Sequence, residues 1–390
     1  HKDVVKCVTF WNLSDRDSWL GARNYPLPFD TEYKPKLAYE YIKDMKAPKW
    51  DMPKKPARKP RANRGNAQAQ RPPFNPDLAF PENPNIKEDF KPSVKNQPGQ
   101  QYPQVNSQGY VRFRVELPEA KSVVATLGGR GGTPLHKTYD GSWVGTTKGP
   151  EDEGFHYYHL NVDGGVVNDP GAMNYFGSTR WESGIEIPAH DQDFYAMKNV
   201  PHGAVAERYY WSQTLGTMRR MHVWTPAGYE KTAEKLPVLY LVHGGGDTDN
   251  SWPGVGAAGF ILDNLMAEGK MKPMVVVMPN GTIEMPDGNF MGEVPLFAQD
   301  MITDIIPFIE FNYNVYTDQD HRAMAGLSMG GMETLEVTLN NPEMFRYVWV
   351  LSSSFAPGNK EVYEYERGRL KKEAARYNKN FKRLRIIFLE

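Results

Sequence analysis

The sequence predicts an α/β protein in its C-terminal half, preceded by a small β-sandwich. From about residue 200, continuous apolar runs such as 236–242 alternate with segments of helical periodicity such as 297–312. This alternation is typical of a mostly parallel sheet with right-handed crossovers. Between residues 110 and 187, short segments that alternate with period two are separated by glycine turns, as in sandwiches. The third observation is Gly-Leu-Ser-Met-Gly at 326–330, which predicts a sharp strand-to-helix turn.

Ser328 stands at the apex of this predicted turn. The flanking glycines tolerate backbone angles that a Cβ forbids. Apolar residues then recur at helical spacing, at Met332, Leu335 and Leu339. A helix that begins behind Ser328 directs free N–H groups, including that of Met329, at the oxyanion of a reacting carbonyl. The pattern therefore predicts a serine nucleophile; the alternative is a structural glycine turn that contains serine by chance.

A second glycine-rich segment follows the apolar run 236–242. Its sequence is His-Gly-Gly-Gly at 243–246. It resembles the loop that gives α/β-hydrolases a second oxyanion donor. That resemblance implies Gly245, or its neighbour Gly244, as the donor beside Met329. We expect His243 to brace the loop rather than to act as a base, while a plain connecting loop is the alternative reading.

Composition narrows the classes of function. The 390 residues suffice for two or three domains, and the net charge of −1 gives no reason to expect nucleic acid as a partner. A mean hydropathy of −0.61 and the lack of a long apolar run predict no membrane span. The single cysteine, Cys7, excludes internal disulfides and leaves the compartment open. No signal peptide is recognisable at the start, where the chain reads like the middle of a longer one.

Residues 1–42 do not read as a complete domain. A predicted strand and helix carry the segments 8–19, 28–30 and 33–39, which resemble the C-terminal end of family 10 xylanases. The resemblance implies the last strand and helix of a (β/α)8 barrel, with Trp11 and Trp19 lining a xylose subsite. The catalytic glutamates of that family lie on earlier strands. Residues 43–100, rich in proline and basic residues, are expected to form an extended linker.

Residues 101–195 resemble the immunoglobulin-like modules related to family 48 carbohydrate-binding modules, on a pattern of short strands. Trp143, Tyr139 and Trp181 are candidates for a sugar-stacking platform. Trp143 occupies an inward-looking position in a predicted strand, so we expect it to belong to the core instead.

Residues 196–390 resemble family 1 carbohydrate esterases, which include feruloyl and acetylxylan esterases. The matching segments are 225–229, 237–244, 304–309 and 325–331. The resemblance implies a truncated α/β-hydrolase domain of a secreted, periplasmic or cell-surface enzyme that acts on feruloyl or acetyl esters of xylan and arabinoxylan. Ser328 carries over as nucleophile, and Trp252 is expected to border the site. No cofactor is expected, and 247–250 lacks the other ligands of a calcium loop.

The order of catalytic residues departs from the family. In α/β-hydrolases the triad acid and histidine follow the serine, whereas this chain contains neither Asp nor His after Ser328. His243, His321 and Asp304 are unsuitable substitutes on family geometry. A serine without its base retains little activity. We therefore expect this polypeptide alone to be nearly inactive, as an internal piece of a longer xylanase–esterase.

Four functional readings remain open from the sequence. A feruloyl esterase module in a xylanase fusion leads, and an acetylxylan esterase is the near alternative. The parent protein as chiefly an endo-1,4-β-xylanase is the third. The fourth is a non-catalytic glycan-binding fragment that relies on the tryptophans of the sandwich.

Overall fold

A computed structural model describes Phe80 and residues 83–129, 131–177, 179–285, 290–353 and 385–389. The xylanase-like segment with Trp11 and Trp19, and most of the predicted linker, lie outside the described residues. Within the described part of the chain, every helix is too short or too polar to cross a bilayer.

The first folded unit consists of three antiparallel sheets. Their orders are β1-β2-β3-β7-β6, β10-β9-β4-β5 and β11-β12-β8. The strands are β1 Lys91–Pro92, β2 Gln104–Val105, β3 Val111–Glu116, β4 Val123–Ala125, β5 Thr133–Pro134, β6 His136–Lys137, β7 Ser142–Thr146, β8 Gly154–Tyr158, β9 Leu160–Val162, β10 Gly165–Val167, β11 Asn174–Gly177 and β12 Arg180–Ile187. We call this unit the sandwich.

One apolar core lies between these sheets. Phe113, Val115, Leu160 and Ile185 all belong to it and are almost inaccessible. Trp143 is buried with them, and its Nε1 donates to the Leu117 carbonyl at 3.0 Å. Trp143 is therefore a core residue, as expected from its position, and is not available to stack on a sugar.

Residues 156–162, whose sequence is typical of one strand, belong to two strands in different sheets. The chain breaks at His159, whose N–H donates to Thr126 Oγ1 while its carbonyl accepts the N–H of Thr126, both at 2.9 Å. This local pairing turns the chain from β8, which pairs with β12, into β9, which pairs with β4. Periodicity alone could not reveal the break, because both strands are half-buried.

The linker prediction extends too far along the chain. Strand β1 lies inside the range predicted as linker, yet it pairs with β2 of the sandwich. Glu88, in the same range, forms an ion pair with Arg112 at 2.6 Å. Residues 83–100 therefore pack as part of the sandwich. Pro92 suits this short edge strand, where a missing N–H costs nothing.

The second unit is built on a seven-stranded sheet of order β13-β14-β16-β15-β17-β18-β19. Strands β13 and β14 form an antiparallel hairpin at one edge, β14 is antiparallel to β16, and the remaining pairs are parallel. The strands are β13 Ala204–Ser212, β14 Thr217–Thr225, β15 Val238–Val242, β16 Val275–Pro279, β17 Arg322–Leu327, β18 Tyr347–Leu351 and β19 Arg385–Leu389. This is the predicted α/β architecture.

The helices of this unit bury both faces of the sheet. Along β16, Val275 and Val277 belong to one apolar cluster, whereas Val276 and Met278 belong to the cluster on the opposite face. Strands covered on both sides read as continuous apolar runs, which explains the sequence pattern. The helices are α1 Ser251–Gly254, α2 Ala258–Ala267, α3 Phe290–Asp300, α4 Ile306–Asn312 and α5 Met329–Asn340, with 3₁₀ turns at Gln192–Phe194, Tyr229–Lys231 and Gln319–His321.

The predicted helix at 297–312 begins earlier and is interrupted. A π-helical turn, Met301–Ile305, separates α3 from α4. Pro307 has no N–H to bond the carbonyl four residues earlier, so regular α-helical bonding cannot continue through this point. The turn also leaves the buried Asp304 free to accept the N–H groups of Gln213 and Thr214 at 3.1 Å, which closes the β13–β14 hairpin.

Candidate active site

Ser328 lies at the carboxyl end of β17 in a strained backbone conformation. Its φ of 54° and ψ of −112° are outside the regions that non-glycine residues normally occupy. The backbone holds this geometry because the Ser328 N–H donates to the Leu351 carbonyl at 2.8 Å and its own carbonyl accepts the Gly331 N–H at 2.9 Å. The side chain is exposed. The predicted turn therefore presents the hydroxyl to solvent at the start of α5.

The glycines around Ser328 have no space for a side chain. A Cβ on Gly326 would lie 2.0 Å from the Gly330 carbonyl oxygen. A Cβ on Gly330 would lie 2.4 Å from the carbonyl oxygen of His243. The turn thus depends on direct contact between β17, α5 and the end of β15. It also brings Ser328 close to the glycine-rich segment, which we call the glycine loop (residues 243–250).

Gly244 and Gly245, the two predicted oxyanion donors, differ in exposure. Gly244 is buried, with its Cα facing Leu327, whereas Gly245 is exposed. Met329, the third predicted donor, is the first residue of α5, where backbone N–H groups lack helical partners. The structure therefore brings the predicted donors to the same edge of the sheet as Ser328, although their catalytic role stays a prediction.

His243 is fully engaged inside the glycine loop. Its Nδ1 lies 2.8 Å from the Gly244 carbonyl oxygen and donates to it, while its Nε2 lies 2.9 Å from the Gly281 nitrogen and 3.0 Å from Asn280 Oδ1. The residue is 1% exposed. With both ring nitrogens occupied, His243 has the bracing geometry that the sequence suggested and has no lone pair to offer Ser328.

Asp249 fixes the far end of the glycine loop. Its carboxylate accepts two hydrogen bonds from Arg220, at 2.8 and 3.0 Å, and lies 2.7 Å from Nδ1 of His222. Burial would raise the pKa of Asp249, but the His222 and Arg220 contacts outweigh it and hold that pKa below its ordinary value. From the sequence, residues 247–250 were considered only as a possible calcium loop, and the contacts of Asp249 with Arg220 and His222 were not predicted.

The other candidate bases are remote from Ser328. His321 precedes β17 while Ser328 follows it, so the six-residue strand separates them. The His321 ring stacks on Tyr316 and bonds Asp318 at 2.9 Å. Asp304 closes the β13–β14 hairpin instead. Among the described residues, none of these three is placed to take the proton of Ser328.

A cleft of about 690 Å³ borders the glycine loop. Its polar lining includes Gly246, Asp247 and Thr248 of that loop, with Arg219, Asn280 and Glu284; Ser328 is not among the residues that line the cleft. The apolar lining comes from three regions: the β13–β14 hairpin, the segment around β16 and α3, and the sandwich. These apolar residues are Phe176, Leu215, Met218, Ile283, Met285 and Leu296. Neither the cleft nor its Phe176 wall was predicted, because the three regions are distant in sequence.

The tryptophans predicted to bind substrate have different environments. Trp252 lies on α1 and packs against the apolar cluster that contains Trp224 and Leu239. Its place at the border of the site stays a prediction. On the sandwich, Tyr139 and Trp181 are exposed, at 79% and 56%. Only these two of the three platform candidates can reach a ligand from solvent.

Glu333 is an ionisable group buried directly under the site. It lies on α5, is inaccessible, and neither of its carboxyl oxygens has a hydrogen-bond partner among the described residues. Its Oε2 is so close to Gly281 that a Cβ there would lie 2.5 Å away. Burial, with the neighbouring Glu293, raises the pKa of Glu333 well above its ordinary value, against an opposing effect of Arg219.

One group of possible metal ligands occurs among the described residues. Glu153, His190 and Asp191 come together at the surface, and all three are exposed. Glu153 directly precedes β8, and His190 and Asp191 follow β12. Exposed acidic groups of this kind are common without an ion, and nothing else at this place points to a ligand.

Comparison with known proteins agrees with this geometry. Residues 212–388 match the family described as "Putative esterase", and residues 1–45 match glycosyl hydrolase family 10. An endo-1,4-beta-xylanase/feruloyl esterase of Xylanibacter ruminicola is 51% identical over 363 residues, covering 90% of this chain and 45% of that protein. Endo-1,4-beta-xylanase Y of Acetivibrio thermocellus is 29% identical over 204 residues, or 49% of this chain and 18% of that protein. The chain thus spans less than half the length of these relatives.

Among solved structures, an enterobactin esterase of Shigella flexneri matches with a TM-score of 0.53 and 17% identity, over 72% of this chain and 87% of that one. At this identity the match shows a shared fold, which is that of an α/β-hydrolase. The resemblances to a family 10 xylanase at the start of the chain and to an esterase at its end are confirmed.

Proposed function

We propose that the esterase-type segment, residues 212–388, is the catalytic module of a xylanase–feruloyl esterase and cleaves hydroxycinnamoyl groups from arabinoxylan. The observation that carries this proposal is Ser328, an exposed serine in a strained turn beside the glycine loop. The match to the "Putative esterase" family and the likeness to a xylanase/feruloyl esterase support it. Because this chain spans only part of its relatives, the activity of the whole protein is part of the proposal.

The proposed reaction is acyl transfer through Ser328. The serine oxygen attacks the ester carbonyl, and the N–H groups of Met329 and Gly245 stabilise the oxyanion that forms. The ester C–O bond then breaks, the sugar hydroxyl leaves with a proton, and the acyl group stays on Ser328. Water next cleaves this acyl-enzyme, which releases the free acid and restores the serine hydroxyl. Both steps need a base to move a proton, and His243, His321 and Asp304 do not supply one. We expect that base from outside the described residues, so near-inactivity of the 390 residues alone stays a prediction.

The cleft beside the glycine loop favours a bulky acyl group over acetyl. Its apolar lining and its volume of about 690 Å³ suit an aromatic ring with polar substituents. An acetyl group would leave most of this surface unfilled and would gain nothing from it. Acetylxylan esterase activity therefore remains the second candidate. We also propose export of the enzyme, because a polymeric plant glycan is met outside the cytoplasm.

The test compares the hydrolysis of methyl ferulate and 4-nitrophenyl acetate. The samples are this chain, a longer chain that continues past residue 390, and each of these with Ser328→Ala. We expect the longer chain to be active and to lose about 10³-fold or more in kcat with Ser328→Ala. A higher kcat/KM for methyl ferulate would support the feruloyl assignment. Ferulate turnover that survives Ser328→Ala would refute the proposal.

Glycan binding by the sandwich is a second function, favoured by the exposure of Trp181 and Tyr139. Aromatic side chains of this kind can stack on sugar rings. Retention on insoluble xylan should survive Ser328→Ala and weaken with Trp181→Ala or Tyr139→Ala. Equal retention of all these variants would leave the sandwich without a role in glycan binding.

A further inference from the structure

The sandwich contacts the glycine loop through the turn between β11 and β12. The N–H of Thr179 donates to the Gly246 carbonyl at 2.9 Å. Both residues have positive φ, 72° for Thr179 and 81° for Gly246. A β-branched residue such as threonine rarely adopts this left-handed conformation, so surrounding contacts must hold it.

Those contacts come from the strands of the sandwich. Gly177 packs directly on Tyr157, where a Cβ would lie 2.3 Å from the hydroxyl oxygen. The Tyr157 hydroxyl donates to the Phe176 carbonyl at 3.4 Å. Burial, together with the Asp247 carboxylate of the glycine loop, raises the pKa of Tyr157 to about 12. The turn is therefore attached on one side to the sandwich and on the other to the glycine loop.

This attachment places Phe176 in the wall of the cleft. The ring is half-buried and makes an edge-to-face contact with Trp181, with centroids 5.8 Å apart. It faces the cleft together with Met218 and Leu215 of the β13–β14 hairpin. A ring held in this way offers an aromatic ligand a preformed partner, which costs little entropy on binding.

We infer that the sandwich completes the acyl-binding cleft of the esterase and that Phe176 is a specificity-determining residue for aromatic acyl groups. This inference rests on the proposed function. If it is correct, the sandwich is part of the active site, in addition to any role that it has in binding glycan. Ser328 is not among the residues that line the cleft. The inference therefore requires that a long aromatic acyl group on Ser328 reaches Phe176 and that an acetyl group does not.

The test does not depend on turnover. Binding of methyl ferulate is measured by isothermal titration calorimetry on the Ser328→Ala form of this chain, alone and with Phe176→Ala, Phe176→Leu or Phe311→Ala. Phe311 is 91% exposed on α4 and provides a matched control. We expect about tenfold weaker binding for Phe176→Ala, since an aromatic contact and its buried area contribute about 1–2 kcal/mol. The affinity of the Phe176→Leu variant should lie between those of the parent and Phe176→Ala, and Phe311→Ala should bind methyl ferulate as tightly as the parent.

Two outcomes separate this inference from the proposed function. Normal binding by Phe176→Ala and Phe176→Leu, in variants whose circular dichroism matches the parent, would overturn the role of Phe176 and leave the feruloyl assignment intact. Absence of methyl ferulate binding in the Ser328→Ala form itself would overturn the feruloyl assignment and this inference together. In an active longer chain, Phe176→Ala should lower kcat/KM for methyl ferulate about tenfold and leave that for 4-nitrophenyl acetate unchanged.

Discussion

The turn at Ser328 and the glycine loop lie side by side, yet different forces hold them. The turn is fixed by close backbone contact: Gly326 and Gly330 leave no space for a side chain. The glycine loop is fixed by contacts with distant parts of the chain: Gly281 bonds His243, Arg220 bonds Asp249, and Thr179 bonds Gly246. Rigidity at an active site can thus come from local sterics or from distant contacts, and mutations should affect the two differently.

The largest expected effect tests whether close backbone contact holds the Ser328 turn. Gly326→Ala should destabilise the protein by about 4 kcal/mol, because the new Cβ would lie 2.0 Å from a backbone oxygen that cannot move without unfolding the turn. The measurement is urea unfolding followed by circular dichroism. Gly149→Ala is the control, since a Cβ at Gly149 meets nothing within 4 Å. Equal stability of the two variants would contradict steric locking.

A smaller effect is expected from loosening the glycine loop. Asp249→Asn should cost about 2–3 kcal/mol, because it removes a charge that accepts bonds from Arg220 and lies against His222. Hydrogen exchange should increase at residues 243–250 and stay unchanged at the Ser328 turn. Asp193→Asn, on a largely exposed carboxylate, is the control. Equal increases in exchange at both segments would show that the two are not held independently.

The pH dependence of the Asp249 effect has a definite sign. The pKa of Asp249 is lowered in the folded protein, so its contribution is present above the unfolded value of 3.8 and is lost as pH falls through the folded pKa. The stability difference between the parent and Asp249→Asn should therefore be constant near neutral pH and shrink only in acid. A difference that disappears already at pH 6 would assign the effect to another group.

Glu333 should make the free energy of unfolding change with pH in the opposite direction. Its pKa is raised, so folding retains a proton that the unfolded chain loses above pH 4.5, and stability falls as pH rises toward the folded pKa. Glu333→Gln removes this penalty. The variant should gain on the parent by at most about 1.4 kcal/mol per pH unit above 4.5. Urea unfolding between pH 5 and 7 measures the slope, and Glu336→Gln on the same helix is the control; a flat difference would contradict a buried proton.

The sequence was most informative where structure depends on neighbours in the chain. The strand, turn and helix around Ser328 were predicted because glycine sterics and helical periodicity operate over a few residues. The same holds for β15, whose continuous apolar run follows from burial on both faces. His243 was assigned to bracing from its position alone, and its two ring contacts agree with that interpretation.

Sequence reasoning failed where a contact joins distant segments or where the chain changes sheet. Periodicity could not separate β8 from β9, and proline content concealed that β1 pairs within the sandwich. Phe176, Asp249 and Glu333 carried no recognisable motif. A glutamate two residues before Leu335 on the same helix gives no sign that its carboxyl is buried without a partner among the described residues.

By itself, the sequence determined the α/β class, the position of the serine turn and the family resemblances at the two ends of the chain. These features depend on local periodicity and on glycines at fixed spacing, and each such signal lies within one short segment of the sequence. The tertiary structure alone decided which carboxylate anchors the glycine loop, which ring faces the cleft and that the sandwich forms one of its walls. Such contacts depend on how separate segments approach one another in space, and the packing of the whole chain sets that approach.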